Sequence, residues 1–188
     1  MNRTFNYTKY LIILIIISVS QTFSQNDYKQ GVDAYSKEDY ETAIKYFTKY
    51  IDKNPDKDNG YYARGLCYES LDKCVSAKYD YNKALEINPK HKDALLGIGN
   101  SFDCLGQYGM AIESFNTLLT LYPDYAKGYW NRSATYINYG TSYMMDQFEA
   151  FSNALADIEK AVELDNSYQN EAEETITSLR KKLKELSK

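Results

Sequence analysis

The chain has 188 residues and a formal net charge of −4, with 26% charged and 44% hydrophobic side chains. That balance allows one domain or a run of small repeats and excludes both a disordered tail and a polytopic membrane protein. The excess of acid argues against a nucleic-acid binder that lives on phosphate contacts, and one histidine and three cysteines leave little stock for a zinc site or a catalytic dyad.

Residues 1–24 differ from the rest. Arg3 and Lys9 are the only charged side chains there, and Leu11 to Val19 is an apolar run interrupted only by Ser18. As a helix that run reaches only ~14 Å, about half the ~30 Å hydrocarbon core of a bilayer. A basic start, a short apolar stretch and small residues at Thr22 and Ser24 predict a cleaved secretory signal, cut after Ser24 or, second, after Ser20. The alternative is an uncleaved membrane anchor through residues 10–23. No cysteine follows either cut, since the first is Cys67, which argues against a lipid-anchored start. Cleavage leaves a chain two charges more negative, working in the periplasm or secreted.

A period of 34 organises the rest of the chain. Pro55, Pro89 and Pro123 are the only prolines. Twelve residues before them stand Ala43, Ala77 and Ala111; eight before, Phe47, Tyr81 and Phe115; twenty-four before, Gly31, Gly65 and Gly99. Within one period, Tyr61, Tyr68 and Leu71 mark one face of a first helix, and Ala77, Tyr81, Ala84 and Leu85 that of a second. Small residues at Gly65 and Ala77 let two antiparallel helices approach, and proline ends the second, since it lacks an N–H and disfavours helix before it.

These columns resemble the tetratricopeptide repeat (TPR) family over residues 25 to about 166. The resemblance implies an all-α solenoid of antiparallel helix pairs, with four repeats at 25–57, 58–91, 92–125 and 126–168. The fourth departs from the pattern: Asn166 replaces proline, and Tyr136 and Ala154 are 18 apart where Tyr68 and Ala77 are 9 apart. The nine extra residues fall near 141–149. Gly140 is expected to close the first helix and Ser142 to cap a lengthened second one carrying Met144, Phe148 and Phe151. Residues 167–188 carry Ala172, Ile176, Leu179, Leu183 and Leu186 at helical spacing, a capping helix for the last repeat.

No residue pattern speaks for catalysis. His91 stands between Lys90 and Lys92 in a connector and reads as a solvent-exposed residue. Gly106 to Gly109 is a helix–helix turn without the Lys-Ser/Thr of a phosphate loop, and no metal-ligand spacing occurs. The expectation is a non-enzyme without cofactor, metal, nucleic acid or small-molecule substrate. Cys67 and Cys74 are about two turns apart, too far to bridge within one helix. Cys104, one repeat onward from Ser70, meets either of them, with Cys74–Cys104 the candidate disulfide; otherwise all three are small packing thiols.

TPR proteins commonly hold a peptide or a partner's helix against the first helices of their pairs. Helical spacing places Tyr28, Val32 and Tyr35, then Tyr62, Leu66 and Glu69, then Leu96, Asn100 and Asp103, then Trp130, Ala134 and Ile137 on that face. The surface is aromatic at its ends and acidic in the middle, with Trp130 as an exposed anchor. The TPR subset that grips acidic chaperone C-termini carries Lys and Asn where Tyr28 and Val32 stand, which sets this chain apart. Two functions are expected from these features. One is an exported adaptor that binds a protein or peptide in the groove. The other is a permanent subunit of an envelope complex, held by the 141–151 insert or the C-terminal helix.

Overall fold

A computed structural model describes residues 25–142 and 145–188; the expected signal segment, and Met144 of the insert, lie outside them. The described residues form helices α1 (25–35), α2 (Tyr40–Lys53), α3 (Asp58–Ser70), α4 (Cys74–Ile87), α5 (Lys92–Cys104), α6 (Tyr108–Leu121), α7 (Ala126–Thr141), α8 (Gln147–Leu164) and α9 (Gln169–Leu186), the last preceded by a 3₁₀ turn at Asn166–Tyr168. Each helix packs on its chain neighbours, and α3 with α5 and α5 with α7 also touch. The fold is an all-α solenoid of antiparallel pairs.

The repeated residues have one packing meaning. Ala43, Ala77, Ala111 and Ala154 are buried, as are Phe47, Tyr81, Phe115 and Ile158 four residues on. Each ring lies on a glycine: a Cβ at Gly31 would stand 2.6 Å from Phe47, at Gly65 2.7 Å from Tyr81, and at Gly99 2.4 Å from Phe115. Tyr81 is gripped twice, because a Cβ at Gly97 of the following repeat would also lie 2.4 Å from its ring. Gly97→Ala should therefore cost ~1–3 kcal/mol by overpacking, seen as a lower urea midpoint. An unchanged midpoint would mean that Tyr81 can move aside.

Asn54, Asn88 and Tyr122 are the C-caps of α2, α4 and α6, each directly before its proline. The first helices of the leading three pairs end on a left-handed residue at the same repeat position: Glu38, Asp72 and Gly106, with φ of 60°, 53° and 69°. Gly106 adopts it freely; an L side chain does so at a cost.

The fourth pair differs from expectation. Gly140 occupies the position of Gly106 but stays inside α7, which runs to Thr141, and Ser142 is its C-cap rather than the N-cap of the next helix. Asp146 starts α8, its carboxylate accepting from the Glu149 N–H at 2.9 Å. Against the earlier pairs, α7 is three residues longer than α5, α8 four longer than α6, and the connector two longer, so the insertion is shared among all three. Gly140 has a packing reason: a Cβ there would meet that of Ala150 at 2.8 Å. Past α8, Ala172 and Leu179 of α9 are buried and Ile176 and Leu183 pack on the same cluster, leaving only Leu186 of that stripe exposed.

Candidate functional site

The odd-numbered helices of the four pairs build one face carrying three adjoining clefts. The first, about 120 Å³, lies between α1 and α3 and is apolar, lined by Tyr28, Val32, Tyr35, Phe47 and Leu66. The second, about 290 Å³, shares Tyr35, Tyr62 and Leu66 with it and adds Glu69, Asp93, Asn100 and Lys127. The third, about 230 Å³, shares Asn100 and adds Asp103, Trp130, Asn131 and Ala134.

A polar ladder runs along this face. Glu69 accepts from the Tyr81 hydroxyl and from Asn100 Nδ2 at 2.8 Å, and Asn131 Nδ2 donates to Asn100 Oδ1 at 2.8 Å. Asp93 accepts from the Tyr125 hydroxyl at 2.8 Å, and Asp103 from Asn138 Nδ2 at 3.2 Å. Every donor is neutral: among the described residues none of Glu69, Asp93 and Asp103 is in an ion pair. The carboxylates elsewhere that are most deeply buried, Asp80 and Asp157, are by contrast each held by an arginine.

This field acts on the phenols. Burial first, then the charges of Asp93 and Glu69, push Tyr62 up from 10.0 to about 12. Burial also raises Tyr81, helped by Glu69, and Tyr125, helped by its bond to Asp93. A phenol whose folded pKa lies above its unfolded one contributes its full stability below the unfolded value. The contribution is lost as pH rises toward the folded value, because the unfolded chain ionises first. Urea midpoints should therefore hold up to about pH 10 and fall between about pH 10 and 12, with phenolate absorbance rising alongside. Midpoints flat to pH 12 would contradict the packing of these rings.

Most of the predicted face residues come together in the clefts. Tyr28, Tyr35, Tyr62, Glu69, Leu96, Asn100, Asp103 and Trp130 all line one of the three. Leu96 is nonetheless buried and belongs to the core beneath, with Phe115 and Leu118. Ile137 is not among the lining residues; it packs on the α8–α9 cluster. Trp130 is half-buried rather than an exposed anchor, its ring 4.9 Å from that of Tyr168. His91 is not a bare connector residue either. Its ring lies 4.6 Å from that of Tyr62, and its Nδ1 accepts from the Ala94 N–H, capping α5. His91 and Tyr168 hold the same repeat position, two residues after Pro89 and Asn166, so in the second and fourth repeats the connector at the repeat's end covers a ring of its own first helix. Asp93, Asn131 and Lys127 also reach the clefts; sequence spacing did not single them out.

Cys74, the first residue of α4, and Cys104, the last of α5, are joined by a disulfide with Cα atoms 6.2 Å apart. Cys67 is a buried free thiol, pushed up to about 12 by burial and thus poorly nucleophilic. Among the described residues no group of three acidic, His or Cys side chains is placed to hold a metal, and no helix is long and apolar enough to cross a membrane.

Family models described as tetratricopeptide repeat match residues 28–77 and 93–125, across the same glycine, alanine and ring columns. The chain carries tetratricopeptide repeats. It is 33% identical over 101 residues to heat shock protein STI1 of Saccharomyces cerevisiae, covering 49% of this chain and 17% of that protein. Tetratricopeptide repeat protein 14 of Mus musculus is 30% identical over 117 residues, 62% of this TPR chain and 15% of the relative. The chain thus spans about a sixth of the length of these curated relatives. Among solved structures, pilF of Pseudomonas aeruginosa superposes with a TM-score of 0.71 at 18% identity, over 88% of this chain and 71% of that one. The second TPR domain of human RPAP3, solved with an HSP70 peptide SGPTIEEVD, gives 0.59 at 21% identity, over 62% and 97%. At these identities the structures show the fold alone.

Proposed function

We propose that this TPR chain is an exported, non-catalytic adaptor that holds a segment of another protein along the face of α1, α3, α5 and α7. The observation that carries the reading is the continuity of the three clefts, which share Tyr35, Tyr62 and Leu66 at one junction and Asn100 at the other. An extended segment crossing them meets apolar pockets and polar groups in turn, as a peptide groove requires. Export draws support from the leader-like residues 1–24 and from the Cys74–Cys104 disulfide, which persists in oxidising compartments. The alternative of a permanent subunit held by the C-terminal helix is weakened by α9, whose stripe is spent on α8; of the described insert residues, Phe148 stays exposed.

Photo-crosslinking in the native host tests this. A benzophenone side chain at Val32 or Ala134, both exposed on the groove face, should trap one common partner, while the same group at the exposed Glu113 of α6 should not. Trapping from Glu113 or Phe148 alone would move the function to the opposite face or to the insert.

A further inference from the structure

Resting on the groove reading, we infer that the occupant is a basic–apolar segment: a bulky apolar side chain seated in the α1–α3 cleft and a Lys or Arg about three residues away in the α3–α5 cleft. The first cleft is lined by Tyr28, Val32, Tyr35, Phe47 and Leu66, with no charged group, so only an apolar side chain is desolvated there without loss. The second carries Glu69 and Asp93, and Asp103 lies in the next cleft. Their hydrogen bonds come from Tyr hydroxyl and Asn amide groups, which orient the carboxylates and leave their charge unbalanced.

Among the described residues Lys127 is the one cation lining the second cleft; it is exposed and pairs with no described carboxylate. Three acids across the second and third clefts against one lysine give a negative trough. A cationic group entering there gains charge-assisted hydrogen bonds to oriented carboxylates in a half-buried setting, where they are stronger than in water. The spacing is set by geometry. Packed helices lie 8–10 Å apart, and a polyproline-II segment advances about 3.1 Å per residue and presents the same face every third residue, so neighbouring clefts accept side chains about three residues apart. A peptide like the acidic one bound to human RPAP3 would meet repulsion in this trough.

The test is a selection of random nine-residue peptides displayed on phage against the purified full chain, followed by fluorescence anisotropy of the recovered peptides. Recovered sequences should pair Lys or Arg with Phe, Leu, Ile or Met at a spacing of two to four. Glu69→Gln and Asp93→Asn keep an acceptor in place and should each weaken binding at least fivefold, with unchanged helical circular dichroism. Lys127→Glu, on the surface, should tighten it severalfold. Raising NaCl from 50 to 500 mM should weaken the wild-type complex and matter less for Asp93→Asn. Acidic or neutral peptides that still lose binding on Val32→Glu would overturn the basic–apolar class while leaving the groove intact. Peptides indifferent to every groove variant, or a selection that recovers none, would overturn both.

Discussion

Asp80→Ala is expected to cost about 3–5 kcal/mol, enough to unfold a marginal domain. Asp80 is almost wholly buried in α4 and accepts two bonds from Arg64 of α3, at 2.7 and 2.8 Å; the same guanidinium donates to Thr48 of α2 at 3.0 Å. One arginine thus ties three consecutive helices. Removing the carboxylate strands a cation in a site where its own side chain is 15% exposed, and desolvation without a partner outweighs the lost bonds. The pair itself need not add net stability. In the third repeat the same two positions hold Ile98 and Ser114, and that repeat packs without an ion pair. The double variant Arg64→Met/Asp80→Leu should therefore lie within about 2 kcal/mol of wild type, in either direction. Urea unfolding of the single and double variants decides it. A loss below about 1 kcal/mol for Asp80→Ala would show that water reaches Arg64.

The same constellation recurs at Arg132, which holds Asp157 at 2.6 and 2.7 Å and Asn116 at 2.5 Å. Arg64 and Arg132 are two periods apart, as are Thr48 and Asn116. This is why a 34-residue column does not reveal them: the pair returns only in alternate repeats. The glycine, alanine and ring columns were legible because the first three repeats meet the same problem, a ring laid on a bare backbone, and solve it with a glycine at the same position. The groove face was legible for a related reason, since helical spacing fixes which residues of α1, α3, α5 and α7 turn the same way.

Other features depend on what a helix meets, which spacing does not encode. Trp130 points toward the groove by periodicity, yet Tyr168, 38 residues on, covers part of it. Ile137 obeys the same periodicity but reaches the α8–α9 cluster, because α7 runs a turn further than its counterparts. The insertion was visible as a length and not as a shape. Its apolar spacing continues unbroken into α8, so nothing in the pattern divides the nine residues among two helices and a connector. Gly140 carried a misleading signal, being a glycine at a helix-ending position that packing against Ala150 also demands.

Reducing the Cys74–Cys104 bond should lower stability by about 3–4 kcal/mol. The bond closes a loop with a sequence separation of 30, and for loops of that size the lost freedom of the unfolded chain has this magnitude. It joins the start of α4 to the end of α5, so it clamps the interface between the second and third pairs. In a repeat array, where each unit is stabilised chiefly by its neighbours, that interface couples the two halves. Cys104→Ser should lower the urea midpoint as reductant does, and reductant should then have no further effect on the variant. Iodoacetamide should label the exposed Cys104 first in the folded, reduced chain and spare Cys67, whose thiol is fully buried and pushed up to about 12. Equal midpoints with and without reductant would mean that packing alone holds α4 on α5. Because Cys104 also lines the third cleft, the crosslink and the groove share a wall. Loosening of α5 should be felt first by ligands reaching toward Asp103. A chain whose total stability is of the order of 5–15 kcal/mol would lose a large fraction of it in a reducing compartment, a cost that the proposed export avoids.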